Sequence, residues 1–382
     1  MDRRERARYG DAVGCGMDRQ VQGLLERAVA AGQAVGWSAL AVERGVASVS
    51  WSVGRAALGG GPVTPHLLYD LASLTKPLAT TTLALLARRQ GLDLELPLGE
   101  LLPELAASPW GAVRLRHCLT HTGGFPAWEP LYAGGARSPA GYLAALAALQ
   151  PLAAPGVRVE YSCLGFIAAG LALERFFCAP LAQLFSKLVA GPLGIADQLA
   201  FAPPRHRPVA GGQLGAVVER RLLRERGLGA EPPAPLAGIH SCDDGNARGL
   251  GGAAGNAGLF GTAAAVARLA LEYVEGGGEL LTAAESQLAS RCWTVGLEQG
   301  RGLGWQLAAT PGCSAGRALP PDAVGHTGFT GTSVWLDRHR CRGYVLLGNR
   351  LHPGGRTPDL HPLRRTYHVL CAQVLEKMSN GE

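Results

Sequence analysis

Two residues able to do covalent chemistry stand at the head of an apolar run. In "LASLTKPLATTTLALLARRQGLD" (71–93), Ser73 and Lys76 are three positions apart. Positions i and i+3 share a helix face, so the hydroxyl and the amine can meet. Of the 36 basic residues only three are lysines: Lys76, Lys187 and Lys377. Arginine does not give up its proton in a protein. A desolvated lysine can, and then works as a base or proton relay. Ser73 precedes the helical run, which suits an N-cap. Free N–H groups and the positive dipole end there would favour an alkoxide or oxyanion. The same spacing also fits a capping serine followed by a solvated lysine, so the pair does not decide the chemistry alone.

Two further segments add to it. "PGVRVEYSCLGF" (155–166) carries Tyr161 after a Pro-Gly turn and before an apolar helix. "AVGHTGFTGTSVWLD" (323–337) carries His326, Thr327 and Gly328 on an expected strand. In this order the three elements resemble the serine β-lactamase and penicillin-binding-protein superfamily. Its set is S-x-x-K, then Y-x-N or S-D-N, then K-T-G. The resemblance is to the class C-related branch of esterases, D-aminopeptidases and amidases. "LTHTGGFP" (119–126), "DDGNARGLGGAAGNAGLFGT" (243–262) and "LLGNRLHPGGR" (346–356) extend it, over about residues 20–375.

The resemblance implies that Ser73 is the nucleophile of an acyl-enzyme and that Lys76 accepts or relays its proton. Tyr161 would share base duty and protonate the leaving group. A phenol is a poor base near neutral pH unless positive charge stands beside it, and Lys76 would supply that charge. His326, Thr327 and Gly328 would line the strand edge beside the substrate. The Ser73 and Phe329 amides would form the oxyanion hole, and Asn349 and Arg350 would lie near the substrate. The implied function is hydrolysis of a small-molecule ester or amide. The alternatives are a penicillin-binding or β-lactamase-type enzyme acting on a β-lactam or D-Ala peptide, and a catalytically silent scaffold.

Two positions depart from the pattern. His326 replaces the K-T-G lysine, which would be a fixed cation for a substrate carboxylate. Histidine holds an anion less firmly near neutral pH but can exchange protons. This favours esters or differently charged amides over β-lactams. Cys163 stands where an asparagine is common. Sulfur is a weak hydrogen-bond partner, so a contact is lost or replaced.

These residues need elements to hold them. Residues 37–56 alternate as strands about a turn at Arg44-Gly45, giving a β-hairpin. Helical spacing follows at 76–90, 138–149, 163–177, 181–190 and 262–275. Strand character returns in "GLGWQLAA", "AVGHTGFTGTSVWLD" and "CRGYVLLGNRLH", with "DRHR" (337–340) as a turn, and a last helix spans about 361–377. The fold expected is α+β and β-lactamase/transpeptidase-like. An antiparallel sheet from N- and C-terminal strands is flanked by helices, with an inserted, mostly helical subdomain. The divisions are a disordered arm at 1–16, a sheet subdomain at 17–75 plus 300–382, and a helical subdomain at 76–299. Residues 203–240 read as an irregular excursion, a flap over the site.

Composition narrows the classes. At 382 residues with 47% hydrophobic and 17% charged residues, the chain can bury a large core. A net charge of +6 is modest, and "ERRLLRERG" (219–227) is broken by acids, so it reads as a solvated helix or loop and not a nucleic-acid patch. Nine cysteines without a C-x-x-C suit no zinc template and suggest buried thiols in a reducing compartment. G-x-S-x-G and H-E-x-x-H are absent, no metal or cofactor is implied, and His121 reads as a buried loop residue. The glycines of 249–261 serve tight turns rather than a phosphate loop. The start lacks the apolar core of a secretory signal, and the best apolar run, 163–173, is too short to span a bilayer. A cytoplasmic location is expected.

Overall fold

The alternation in the strands serves two cores at once. In the computed structural model, which describes residues 18–380 apart from Gly45, the strands are β1 (Gly36–Glu43), β2 (Ala47–Gly54), β3 (Tyr69–Asp70), β4 (Leu199–Phe201), β5 (Leu259–Gly261), β6 (Gln306–Leu307), β7 (Val324–Thr327), β8 (Ser333–Asp337) and β9 (Arg342–Gly348). Successive strand residues point to opposite faces. Along β1, Leu40 and Val42 enter one apolar cluster while Trp37, Ala39 and Ala41 enter another. On β8 and β9, Val334, Leu336, Val345 and Leu347 join the first, and Trp335, Tyr344 and Leu346 the second. The sheet is therefore apolar on both faces and is covered twice.

Its order is β2-β1-β9-β8-β7-β6, antiparallel throughout, so strands from both ends of the chain meet at β1 and β9. The helices Asp18–Ala30 and His361–Ser379 close the second cluster. The helix Ala263–Ala270 packs on β1, β8 and β9 from the other side, where the larger helical core begins. That core includes Thr82–Arg89, Pro139–Ala147 and Cys163–Phe177. The expected α+β architecture is observed.

Three features differ from expectation. The chain between the large-sheet strands contains β4 and β5, which join β3 in a second sheet of order β3-β5-β4. Elements of two or three residues are too short to show a period. The flap at 203–240 contains a helix, Val217–Glu225. That helix is not wholly solvated. Glu219 is buried and pairs with Arg248 at 2.9 Å. The expected arm at 1–16 lies outside the described residues. No single described helix is long and apolar enough to cross a membrane.

His368 lies in the layer beneath the sheet, against Trp335, Tyr344 and Tyr367 with ring centroids 5.7–6.3 Å away. Its Nδ1 donates to the Ala315 carbonyl at 2.8 Å. Burial holds the imidazole down at about 4, against about 6.5 in the unfolded chain. Between those values the unfolded chain binds the extra proton. This residue's contribution is therefore complete above pH 6.5 and is lost as pH falls toward 4. His368→Asn keeps a donor but removes the titration. Urea midpoints from pH 4.5 to 6.5 should show the stability gap between wild type and variant widening with pH by up to about 1.4 kcal/mol per unit.

Candidate active site

Ser73 sits in a tight turn held from several sides. The preceding Ala72 has φ 47°, a left-handed conformation that costs alanine roughly 1–2 kcal/mol. Asp70 fixes it: Oδ1 accepts from the Ala72 amide at 2.9 Å and Oδ2 from the Asp243 amide at 2.7 Å. Leu71 N–H donates to the Leu259 carbonyl at 2.9 Å. From the connection between β7 and β8, the hydroxyls of Thr330 and Thr332 donate to the carbonyls of Asp70 and Leu71 at 2.6 and 3.1 Å. Ser73 is not the N-cap expected from its position. It lies within the 3₁₀ turn Ala72–Leu74, and a π-helical segment, Lys76–Thr81, leads into the helix Thr82–Arg89. Its hydroxyl caps nothing and is left to the lysine.

Lys76 is wholly buried. Its Nζ donates to Ser73 Oγ at 2.9 Å, to the Asn256 carbonyl at 3.2 Å and to Cys163 Sγ at 3.5 Å. The three protons of an ammonium are thus all directed. Once deprotonated, the amine has a lone pair for the Ser73 proton. Burial pulls the amine's pKa down. The negative forms of Cys163 and Tyr161, a hydrogen bond donated to Tyr161 and the charge of Asp244 pull it up, and the net direction is upward. Most of that upward pull acts only while Cys163 or Tyr161 carries charge, and Asp244 adds the smallest part. With both neutral, burial acts against the ammonium and favours the free base.

The Cys163 thiol fills the position expected to lack a partner and accepts from Lys76. Ser162 caps the helix that follows, its Oγ accepting from the amides of Leu164 and Gly165 at 3.0 and 3.3 Å. Tyr161 brings its ring to 5.1 Å from the Lys76 amine. Among the described residues its hydroxyl makes no bond of normal length to Ser73 or Lys76, so in this arrangement it meets the pair through a longer contact.

Ser73, Tyr161, Cys163, His326, Thr327, Gly328 and Phe329 line one cavity of about 600 Å³. Arg350 also lines it, with guanidinium bonds to the carbonyls of Phe329 at 2.8 Å and Pro358 at 3.0 Å. Asn349 does not join them. It is buried, accepts from the amides of Val35 and Gly36 and donates to the Ala56 carbonyl, all within 2.9–3.1 Å, so it ties strands together. Among the described residues the Ser73 and Phe329 amides have no acceptor, which leaves both able to receive an oxyanion.

His326 and His121 are neutral. Burial, aided by the charges of Lys76 and Arg301, holds each well below the ordinary histidine range. His326 Nδ1 faces the Thr327 carbonyl at 2.9 Å, which places the proton there and leaves Nε2 as a buried acceptor. His121 Nδ1 accepts from the Ser162 amide at 3.0 Å, the structural part expected of it.

Residues to which the sequence reading gave no part in the site set the cavity's charge. Asp70, Glu219, Asp243 and Asp244 line it. Burial, reinforced by neighbouring carboxylates, raises Asp70 to about 6, Glu219 to about 7 and Asp243 to about 8. Arg301 and Arg364, both buried, line it as well. No local spacing marks any of them.

The cavity is closed by a close approach. Gly328 N–H donates to the Thr332 carbonyl at 2.7 Å, and a Cβ on Gly328 would collide with Thr332 Oγ1 and lie 2.6 Å from the Leu71 carbonyl. Gly328→Ala should push β7 off the Ser73 turn. The expected cost is about 1–3 kcal/mol in urea unfolding and roughly 100-fold in ester turnover. Unchanged turnover would show that this spacing is not critical.

The profile of the family described as Beta-lactamase matches residues 21–368. The chain belongs to that family and is a serine hydrolase of it. A protein of Escherichia coli (strain K12) named "Putative D-alanyl-D-alanine carboxypeptidase" is 27% identical over 325 residues, 78% of this chain and 73% of that one. Among solved structures, EstCE1, titled a hydrolase with promiscuous acyltransferase activity, aligns with a TM-score of 0.72 at 22% identity, over 93% of this chain and 98% of that one. A class C beta-lactamase aligns with a TM-score of 0.71 at 19% identity, over 96% and 98%. The fold is β-lactamase/transpeptidase-like.

Proposed function

We propose that the protein hydrolyses a small ester or amide, esters foremost, through an acyl-enzyme on Ser73. The observation that carries this is Ser73 Oγ at 2.9 Å from the buried Lys76 amine, on the wall of a 600 Å³ cavity. In its neutral form Lys76 takes the Ser73 proton as Oγ attacks the carbonyl carbon. The Ser73 and Phe329 amides receive the oxyanion. The proton passes through Lys76 and Tyr161 to the leaving oxygen or nitrogen as its bond to carbon breaks. Water then attacks the acyl ester, gives its proton back to the pair and releases the acid, restoring Ser73. The preference for esters rests on His326. A neutral imidazole with a free Nε2 accepts a hydrogen bond and does not anchor a carboxylate as a lysine would.

A fluorophosphonate probe is expected to label Ser73 and to lose its target in Ser73→Ala. Labelling that persists on another serine rejects the assignment. Lys76→Arg keeps the charge but cannot supply a free base, and should lower p-nitrophenyl ester turnover by at least ~100-fold. Turnover by wild type that is lost in Lys76→Ala excludes a silent scaffold, and turnover that survives in Lys76→Ala leaves the pair without a catalytic part.

A second reading has one observation in its favour. Arg350 and Arg364 line the cavity and offer charge to a substrate carboxylate, as a β-lactam or D-alanyl peptide would present. Covalent capture of labelled penicillin on Ser73, with turnover of a chromogenic cephalosporin above that of short-chain esters, would select it.

A further inference from the structure

Large apolar side chains left in the open are ordinary when they are scattered singly. Here they gather at the catalytic cavity. Phe329 is 47% exposed and is the one aromatic ring among the exposed large apolar side chains of the described residues. Leu222 is 37% exposed. Both line the cavity that holds Ser73, and half-buried Trp128 and buried Val218 line it with them. Three segments supply them: the loop around Trp128, the flap helix Val217–Glu225 and the connection after β7.

Each ring is held in place without being covered. The Arg350 guanidinium carbon lies 5.2 Å from the Phe329 centroid, and the same side chain donates to the Phe329 and Pro358 carbonyls. The Arg226 guanidinium carbon lies 5.9 Å from the Trp128 centroid. Arg226 also donates to both carboxylate oxygens of Glu129, the next residue along the chain, at 2.7 and 2.8 Å. Leu222 is tied to the same arginine, its carbonyl accepting from the Arg226 amide at 3.1 Å. Near the start of the flap helix, Glu219 accepts from Arg248 at 2.9 Å and from the Gly245 amide at 3.0 Å. A cation placed over a ring leaves the ring's other face and edges free. An apolar wall that is already ordered loses little side-chain freedom when something binds to it. The water on such a wall is what binding an apolar group releases.

We infer that Trp128, Leu222 and Phe329 form a subsite for an extended apolar group of the substrate, an alkyl chain or an aryl ring. The inference rests on the proposal that Ser73 attacks a carbonyl in this cavity, and it names the substrate class. Phe329 joins the two parts: its amide is free for the oxyanion while its ring stands on the apolar wall, so the group lies beside the scissile carbonyl. The chemistry is the same whether the acid or the alcohol of the ester carries that group. Each methylene taken from water is worth about fourfold in kcat/KM.

The test measures kcat/KM in two ester series. One lengthens the acid, from p-nitrophenyl acetate to the butyrate and the hexanoate. The other keeps the acetate and changes the alcohol from ethyl to hexyl and benzyl, with release of acid as the readout. Wild type is expected to gain at least ~10-fold across one series or both, and the series that responds says which part of the ester carries the group. Trp128→Ala and Leu222→Ser are expected to remove most of that gain. No gain in either series overturns the inference, and so does a gain that either variant keeps in full. Leu222 is exposed, so Leu222→Ser decides the matter even where Trp128→Ala fails to fold. The nucleophile assignment fails separately, if Ser73→Ala keeps wild-type turnover of p-nitrophenyl acetate. A gain lost in Leu222→Ser beside an active Ser73→Ala leaves the apolar subsite standing and only the nucleophile in error.

Discussion

A charged amine out of contact with water is the constraint to which the rest of the molecule answers. Desolvating an ammonium costs several kcal/mol unless each proton finds an acceptor. At Lys76 the acceptors come from three places: the turn before its own helix, the first residue of the helix Cys163–Phe177, and the carbonyl of Asn256 in a glycine-rich loop. None can move without leaving a proton unpaired. The glycine loop must come close enough to reach, and Gly255 allows this. A Cβ there would collide with the Phe166 carbonyl and stand 2.9 Å from the Gly170 amide, both on the Cys163 helix. Thr80 adds a bond from the Lys76 segment to the Gly255 carbonyl at 2.7 Å. Packing of small residues and proton chemistry are here one arrangement.

The strained turn belongs to the same logic. Left-handed Ala72 would relax if it were free, and it is held because strand β3, the connection between β7 and β8 and Asp243 all bond the backbone around it. Strain persists where surrounding contacts over-determine it, and such places cluster at functional sites. The turn also takes Ser73 out of a capping role. Its hydroxyl has Lys76 as a partner instead of a backbone amide.

What the sequence made legible was what repeats locally. The hairpin at 36–54, the helices beginning near 139, 163 and 263, and the last helix all carry their period in adjacent residues, and the structure places them within a few positions of expectation. The Ser73–Lys76 pair was legible for the same reason, being three residues apart. The contributions that escaped notice act across long sequence separations. The Asn256 carbonyl is 180 residues from Lys76, and any residue type could have offered it. Arg301 and Asp70 each lie outside the motifs, at positions with no local spacing to mark them. Asn349 was misplaced because a polar residue after a strand reads as exposed, whereas its amide satisfies three buried backbone groups. Glu219 was misread in a charged stretch because its partner, Arg248, is 29 residues on.

The distribution of charge follows from one substitution of type. A lysine at position 326 would have set a cation at the end of β7, beside the substrate. A buried histidine there is neutral and offers a lone pair. The site still holds positive charge, but on arginines reached from other segments: Arg301 beside the Tyr161 ring, Arg364 from the last helix, and Arg350 after β9. Asp243 and Glu219, which also line the cavity, are raised toward neutrality at working pH, so the cavity is less anionic than its composition suggests. A substrate entering this cavity therefore meets a hydrogen-bond acceptor at His326 and fixed charge on the arginines. The neutral His326 is thus the feature of the wall that most separates this site from one built to clamp a carboxylate.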